Sequence, residues 1–473
     1  MLFNSIEFLF IFLPTVFFVY FFLNKKRLVN LATGWLVIAS LYFYAYWKLE
    51  YLPIILCSMV FNYTIGTTLS KADNLKINKK ALMIFGVVVN LGALFYYKYF
   101  DFVIYNLNKV FHGDFNYMHI VLPLAISFFT FQQIAYLVDS YKGETKEYDF
   151  LTYALFVTFF PQLIAGPIVH HKEMMPQFAK LKNRIINPKN ISIGLFLIAI
   201  GLAKKVLLAD FFSPFVQQTF DVIPHLTCFE AWCAAISYTF QLYFDFSGYC
   251  DMAMGIGYLF NIVLPQNFNS PYKAGNPQEF WRRWHMTLSR WLRDYVYFPL
   301  GGSRCSTLKT YRNLFITFFL CGVWHGANWT FIIWGTIHGI AICIHRMFKQ
   351  LELKTIPYIS TTLPMFIFAT LAWVIFRATT VHRAIDIYKS MFGYYGFAPI
   401  EINKLRFAFE NGDLKLSFFL IIPSIIIIFC LPNSVELAKK FKPNYIFGIA
   451  TFLMLLASVL TINRVSEFLY FQF

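Results

Sequence analysis

Of the 473 residues, 58% are hydrophobic and 21% aromatic against 14% charged, and the mean hydropathy is +0.56. Soluble domains carry about a quarter charged residues, so a water-soluble globular protein is excluded. The formal charge of +16, from 40 Lys and Arg against 24 Asp and Glu, falls on a chain without a polar segment long enough for a soluble basic domain; it points to membrane topology and anionic lipid, not to nucleic acid.

Apolar runs of about 20 residues, enough to cross a hydrocarbon layer roughly 30 Å thick, recur along the whole chain. They are continuous and do not alternate in polarity, which predicts helices in place of a closed barrel. The expectation is an all-α polytopic membrane protein with about ten to twelve spans and additional re-entrant or interfacial helices. The first run, SIEFLFIFLPTVFFVYFFLN, lacks a basic leader and a small-residue cleavage site, so it reads as a retained helix. Two spans separate the basic loops at Lys25–Arg27 and around Lys79, which places both loops inside and the N-terminus outside.

Further along, FLTYALFVTFFPQLIAGPIVH (150–170) contains Pro161, Gly166 and Pro167. Helix breakers at membrane depth need cover for the backbone groups they free, so this stretch is expected to be broken or re-entrant. Lys204, Lys205, Asp245 and Asp251 lie inside apolar segments, where ionisable groups are costly and face a bundle interior or water. A polar interior follows. No fixed-period repeat or pair of symmetric halves marks an inverted-repeat transporter.

The stretch QEFWRRWHMTLSRWLRDYVYFPLGGSR (278–304) interleaves Arg282, Arg283, Arg290, Arg293 and Arg304 with Trp281, Trp284 and Trp291. On one continuous helix Trp284, Leu288 and Trp291 would share a side, and Arg283 and Arg290 another. Two readings stay open: an interfacial amphipathic helix, or a cationic mouth for an anionic substrate or carrier. Spans are then expected near 313–345, 356–376, 416–431 and 445–462, followed by the terminal FLYFQF. Beyond Arg377 this last third carries no chemical signal.

The eight cysteines form no CxxC pair and read as small buried hydrophobes. Of the ten histidines, His112, His119, His170, His171, His225 and His382 fall in or near loops, and neither HxxxH nor HExxH occurs; no metal site is expected. His285, His325, His338 and His345 remain. His325 stands three residues before Asn328, so on a helix the amide could meet the ring or line the same cavity. His338, thirteen residues on, would point nearly opposite on an unbroken helix, at about 100° per residue, unless Gly335 bends it. A structural hydrogen bond is one explanation for such a histidine. The other is catalysis: desolvation favours the neutral imidazole, a general base near pH 7 that could deprotonate a hydroxyl attacking an acyl donor while amide or cationic groups steady the oxyanion.

Several blocks together resemble the membrane-bound O-acyltransferases, in the branch of the alginate and peptidoglycan O-acetyltransferase membrane subunits. These are LPLAISFFTFQQIAYLVDSYKGE (122–144), FFPQLIAGPIVH (159–170), GLAKKVLLAD (201–210), YTFQLYFDFSGYCDMAMGIG (238–257), LPQNFNSPYKAGNPQEFWRRWHMTLSRWLRDYVYFPLGGSR (264–304), CGVWHGANWTFIIWGTIHG (321–339) and WVIFRA. The resemblance runs from the first helix to FLYFQF, with one departure at Asn276 and Pro277 in AGNPQEFW. It implies one membrane-embedded domain over residues 1–473, with a catalytic core at 122–345, built as tilted helices around a central tunnel. It implies His325, in the WHG context, as the catalytic base and His285, in WRRWH, as the second functional histidine. Trp324, Asn328, Arg282, Arg283 and Arg290 become candidates for substrate contact.

The resemblance further implies acetyl-CoA or an acyl carrier as cytoplasmic donor, no bound cofactor, a location in the cytoplasmic (inner) membrane, and an SGNH-type partner outside that passes acetyl to envelope polysaccharide. Peptidoglycan is favoured over an alginate-like polymer. Alternatives are a polysaccharide or small-molecule transporter or flippase, D-alanyl-type transfer to teichoic acid, and a scaffold for the extracellular partner.

Overall fold

A computed structural model describes residues 1–71, 76–145, 149–351, 358–397, 419–462 and 469. Among them the regular structure is helical, without strands. Among the described residues, five helices are long and apolar enough to cross a membrane: Phe8–Lys25, Leu49–Lys71, Lys79–Phe111, Pro188–Val222 and Trp329–Gln350. Val29–Ala45, Thr361–Arg377, Ile421–Cys430 and Tyr445–Leu460 are shorter and apolar. Length and apolarity alone therefore mark fewer spans than the ten to twelve expected. One reason is visible in α12 (Cys228–Leu259), whose apolar run is interrupted by Glu230, Asp245 and Asp251. The terminal FLYFQF falls outside the described residues except for Leu469.

The chain clusters into two compact units, Met1–Ile198 with Met252–Pro265, and Ala199–Asp251 with Gln266–Phe473. The first contains α1 (Leu13–Lys25), α2 (Val29–Ala45), α3 (Leu52–Lys71), α4 (Lys79–Leu94), α5 (Phe100–Phe111), α6 (Ile126–Tyr141), α7 (Phe150–Thr158), α8 (Phe160–Leu163), α9 (His171–Ala179) and most of α10 (Pro188–Leu202). Here α3 and α4 pack on α6 through small residues: a Cβ on Gly66 would lie 2.3 Å from the Tyr136 ring, and one on Gly86 2.7 Å from Leu137. Lipid offers helices little hydrophobic reason to associate, so close approach and polar pairs do the work. Asn62 and Asn90 supply such a pair, each amide donating to the other at 3.1 and 2.7 Å.

The expected break at 150–170 is present. Helix α7 stops at Thr158, Phe159 is non-helical, and α8 makes one turn before the chain leaves helix again. The carbonyl of Phe156 accepts from Gln132 and Gln162 at 2.9 and 2.6 Å, and the Phe160 N–H donates to Ser40 at 3.1 Å. These bonds satisfy backbone groups that lipid could not.

The second unit contains a π-helical stretch Ala203–Ala209, α11 (Asp210–Gln217), the first part of α12, α13 (Pro277–Arg283), α14 (Met286–Leu292), α15 (Thr307–His325), α16 (Trp329–Gln350), α17 (Tyr358–Arg377), α18 (Val381–Met391), α19 (Ile421–Cys430), α20 (Ser434–Lys439) and α21 (Tyr445–Leu460). The span expected over 313–345 is in fact a hairpin of α15 and α16. Gly326 is extended (φ −172°, ψ 157°), and the helices cross where Gly322 and Gly335 face each other. A Cβ on Gly322 would stand 2.5 Å from the Phe331 carbonyl and 2.9 Å from the Gly335 Cα. Gly335 thus permits a crossing; it does not bend a helix.

The polar interior is made of ion pairs. Lys204 meets Asp251 at 2.7 Å, with Ser434 donating to the same carboxylate at 2.6 Å, while Lys205 meets Asp210 at 2.8 Å and Asp245 at 2.6 Å. Nearer the surface, the partly buried Arg377 grips the exposed Asp221 with both terminal nitrogens, at 3.1 and 2.5 Å.

Candidate functional site

The site grows from two breaks in helix in the second unit and from the helix start that follows the second. The first follows α13. Asn276 caps this helix by accepting from the Glu279 N–H at 2.8 Å, and Pro277 opens it, where its missing N–H costs nothing. The departure at these two positions is therefore a well-formed helix start. The helix ends after seven residues; Trp284 is extended, and His285 adopts φ 43°, ψ 52° before α14 begins. The single amphipathic helix considered for 278–304 is corrected accordingly. Trp281, Trp284, Leu288 and Trp291 are all buried, because the left-handed step at His285 redirects the chain and abolishes the shared faces that a continuous helix would have.

That step turns His285 inward, fully buried. Its Nδ1 lies 3.1 Å from the Asn267 Oδ1, and its ring stands edge-on to Phe246 with centroids 4.9 Å apart. The same Asn267 oxygen accepts from the Thr287 N–H at 3.2 Å and the Thr287 hydroxyl at 2.9 Å, while its amide nitrogen meets the Cys250 sulfur at 3.4 Å. His285 lies outside the membrane-spanning helices, and burial alone pushes it down to about pH 3; it is neutral at physiological pH.

The second break places His325 as the last residue of α15. Its ring, 4% exposed, is flanked by Trp324 at 5.0 Å, Trp334 at 5.0 Å and Phe376 at 5.2 Å between centroids. Gly326 is needed here, since a Cβ would lie 2.3 Å from the Phe331 ring. Trp324 also stands 6.3 Å from the His285 ring, so one indole separates the two histidines.

The third feature is the start of α16. Asn328 accepts from the Thr330 N–H at 3.2 Å and donates to the Thr379 carbonyl at 2.9 Å. His325 and Asn328 therefore do not share a helical face, because the helix ends between them; Asn328 acts as a cap. His338, read as pointing away from His325, is brought to its neighbourhood by the hairpin. Trp334 contacts both rings, at 5.0 Å to His325 and 4.8 Å to His338. The Trp281 indole N–H donates to the His338 Nδ1 at 3.2 Å.

The arginines divide. Arg282 is exposed, Arg290 is half-buried, and Arg283 is engaged by Glu279 at 2.8 Å and by the Asn269 carbonyl at 3.2 Å. Asn267, Trp334 and Phe376 carry no sequence signal that ties them to these histidines. Asn267 lies in the quoted LPQNF block, yet no spacing rule connects it with a histidine eighteen residues later. Among the described residues no three His, Cys, Asp or Glu side chains are grouped to hold a metal ion.

Fold and site together define a helical, multi-pass membrane protein with two histidines buried at backbone breaks. Comparison with known proteins identifies the class. The model of the MBOAT, membrane-bound O-acyltransferase, family matches residues 41–381. The chain is 45% identical to the peptidoglycan O-acetyltransferase of Helicobacter pylori, over 100% of this chain and 98% of that protein. It is 40% identical to the probable alginate O-acetylase AlgI of Pseudomonas aeruginosa, over 89% of this chain and 81% of the relative. It is 30% identical to the teichoic acid D-alanyltransferase of Bacillus subtilis, over 49% and 60%. The chain belongs to the membrane-bound O-acyltransferase family and is an acyltransferase.

Proposed function

We propose that this protein is an O-acetyltransferase of the cytoplasmic membrane that modifies cell-envelope polysaccharide, with peptidoglycan as the destination. The observation that carries the reading is 45% identity to a peptidoglycan O-acetyltransferase along the entire chain. Acetyl-CoA, or an acyl carrier, presents the acetyl thioester from the cytoplasm. An SGNH-type partner on the other side receives the acetyl group and delivers it to sugar hydroxyls. The donor's charge keeps it out of hydrocarbon, so the group must react across the membrane while the donor stays behind.

His325 is the base in this reading. It takes the proton of the attacking hydroxyl, the tetrahedral intermediate expels the thiolate, and the imidazolium returns the proton to sulfur. The aromatic walls of Trp324, Trp334 and Phe376 exclude bulk water and strengthen each electrostatic contact. His285 is the second polar contact. Trp324 and Asn328 are candidates for substrate contact, and Arg282, Arg283 and Arg290 are candidates for donor phosphates or an acidic carrier.

The test is His325→Ala in the native cell, with mass spectrometry of released muropeptides and immunodetection of the protein in membranes. The expected result is normal protein abundance with O-acetylation lost. Undiminished acetylation with the variant present would end this reading, and loss of acetyl from an exopolysaccharide in place of muropeptides would move the destination to an alginate-like polymer.

A further inference from the structure

We infer that Asn267 is a positioning residue that locks His285 into one tautomer, so that His285 meets its substrate only as a hydrogen-bond acceptor. The inference rests on the acetyl-transfer reading for its consequence, and on geometry for its substance.

An Asn side chain can be built with oxygen and nitrogen exchanged, and its contacts decide which is right. Here the Thr287 backbone N–H, which can only donate, points at the Asn267 Oδ1 from 3.2 Å, so that atom is the oxygen. The amide nitrogen then faces Cys250. An oxygen in contact with the His285 Nδ1 at 3.1 Å requires that nitrogen to carry the hydrogen. A neutral imidazole has one N–H, so the lone pair is on Nε2.

His338, another buried ring of this unit, shows the opposite arrangement. Trp281 donates to the His338 Nδ1, which puts the His338 hydrogen on Nε2. Two histidines of one unit are thus held in opposite tautomers by one obligatory acceptor and one obligatory donor. His285 cannot give a hydrogen bond from Nε2. This removes it from the groups that could steady an oxyanion and makes it an acceptor for a substrate or water O–H. The titratable groups around it are Cys250 of α12, across Asn267; the Lys204–Asp251 pair beside Cys250; and His325 of α15, across Trp324.

The experiment uses full-length protein in nanodiscs with 15N-labelled histidine, the His285 signals being those lost in His285→Gln. The expected spectrum has Nδ1 in the N–H range and Nε2 in the lone-pair range. The reverse pattern, or an averaged one, overturns the assignment. Acetyl transfer from acetyl-CoA is measured on the same samples. Asn267→Leu should lower kcat at least about tenfold with KM little changed, through loss of the ring's orienting partner. Asn267→Asp keeps an acceptor but adds charge that favours imidazolium. It should restore most of kcat at alkaline pH and lose it as pH falls, with an acidic limb above that of the native protein. If Asn267→Leu keeps full kcat, or Asn267→Asp shows an unmoved pH profile, the positioning role is wrong. If the native protein shows the expected spectrum yet transfers no acetyl, the proposed function fails while the tautomer assignment stands.

Discussion

His285 has a cost that its burial makes measurable. In the unfolded chain the ring titrates near the ordinary histidine value, about 6.5, whereas in the folded protein burial holds it down to about 3. Between those values the unfolded state binds the extra proton, so the contribution of this group to stability is fully present above about pH 6.5. It is lost as pH falls toward 3, by up to about 1.4 kcal/mol per pH unit. His285→Gln removes that dependence. Thermal unfolding in detergent at pH 7.5 and 5 should show the native protein's advantage over this variant shrinking at the lower pH; an equal gap at both would refute the linkage. His325 is conspicuous in the sequence as an imidazole in an apolar run, whereas His285, in the arginine-rich WRRWH stretch, stands out only through the family resemblance. The sequence did not disclose their surroundings. A non-glycine residue at φ 43° has no composition signature, and the turn it creates brings His285 to Asn267, while the α15–α16 hairpin brings Trp334 to His325.

Among the elements, the α15–α16 hairpin bears most directly on the site, since it holds His325 and places Trp334 against it. Its crossing tolerates no added atom: Gly335 would put a Cβ 2.5 Å from the Phe318 carbonyl and 2.7 Å from the Gly322 Cα. Backbone cannot move aside as a side chain can. Gly322→Ala or Gly335→Ala should therefore force the helices apart, lower stability by about 1–3 kcal/mol and reduce transfer activity. Gly34→Ala and Gly92→Ala, in α2 and α4, are the controls, because nothing lies within 4 Å of either added Cβ; they should be neutral or stabilising by about 0.5–1 kcal/mol. Unfolding temperatures of the four variants check the ordering. The hydrophobic pattern exposed the apolar content of residues 313–345 but not the reversal inside it. Gly326 and the cap at Asn328 interrupt only a few positions, and on a 3.6-residue pattern such an interruption resembles a polar spot on one long helix.

On the scale of the whole molecule, the costliest features to assemble are the buried charges. Lys205 balances two carboxylates, Asp210 and Asp245, with all three side chains at most 4% exposed. Removing the cation leaves two uncompensated anions. Removing one anion leaves a complete pair. Lys205→Met should therefore cost about 3–5 kcal/mol and deplete the protein from membranes, while Asp210→Asn should be much milder. Quantitative immunoblotting of membranes together with unfolding temperature tests this, and equal losses would contradict the network. That these ionisable groups needed a polar interior was legible from their positions in apolar runs; which of them pair was not, and Asp210, at the end of GLAKKVLLAD, has no sequence feature that links it to Lys205. By itself the sequence determined the helical membrane class, the family likeness and the two candidate histidines, because lipid solvation and motif content are properties of short stretches. Only the tertiary structure decided that Asn267 holds His285, that Trp334 joins His325 to His338, and that Lys205 answers two carboxylates. Those contacts depend on backbone breaks and helix crossings that bring distant residues together, and local composition carries no record of them.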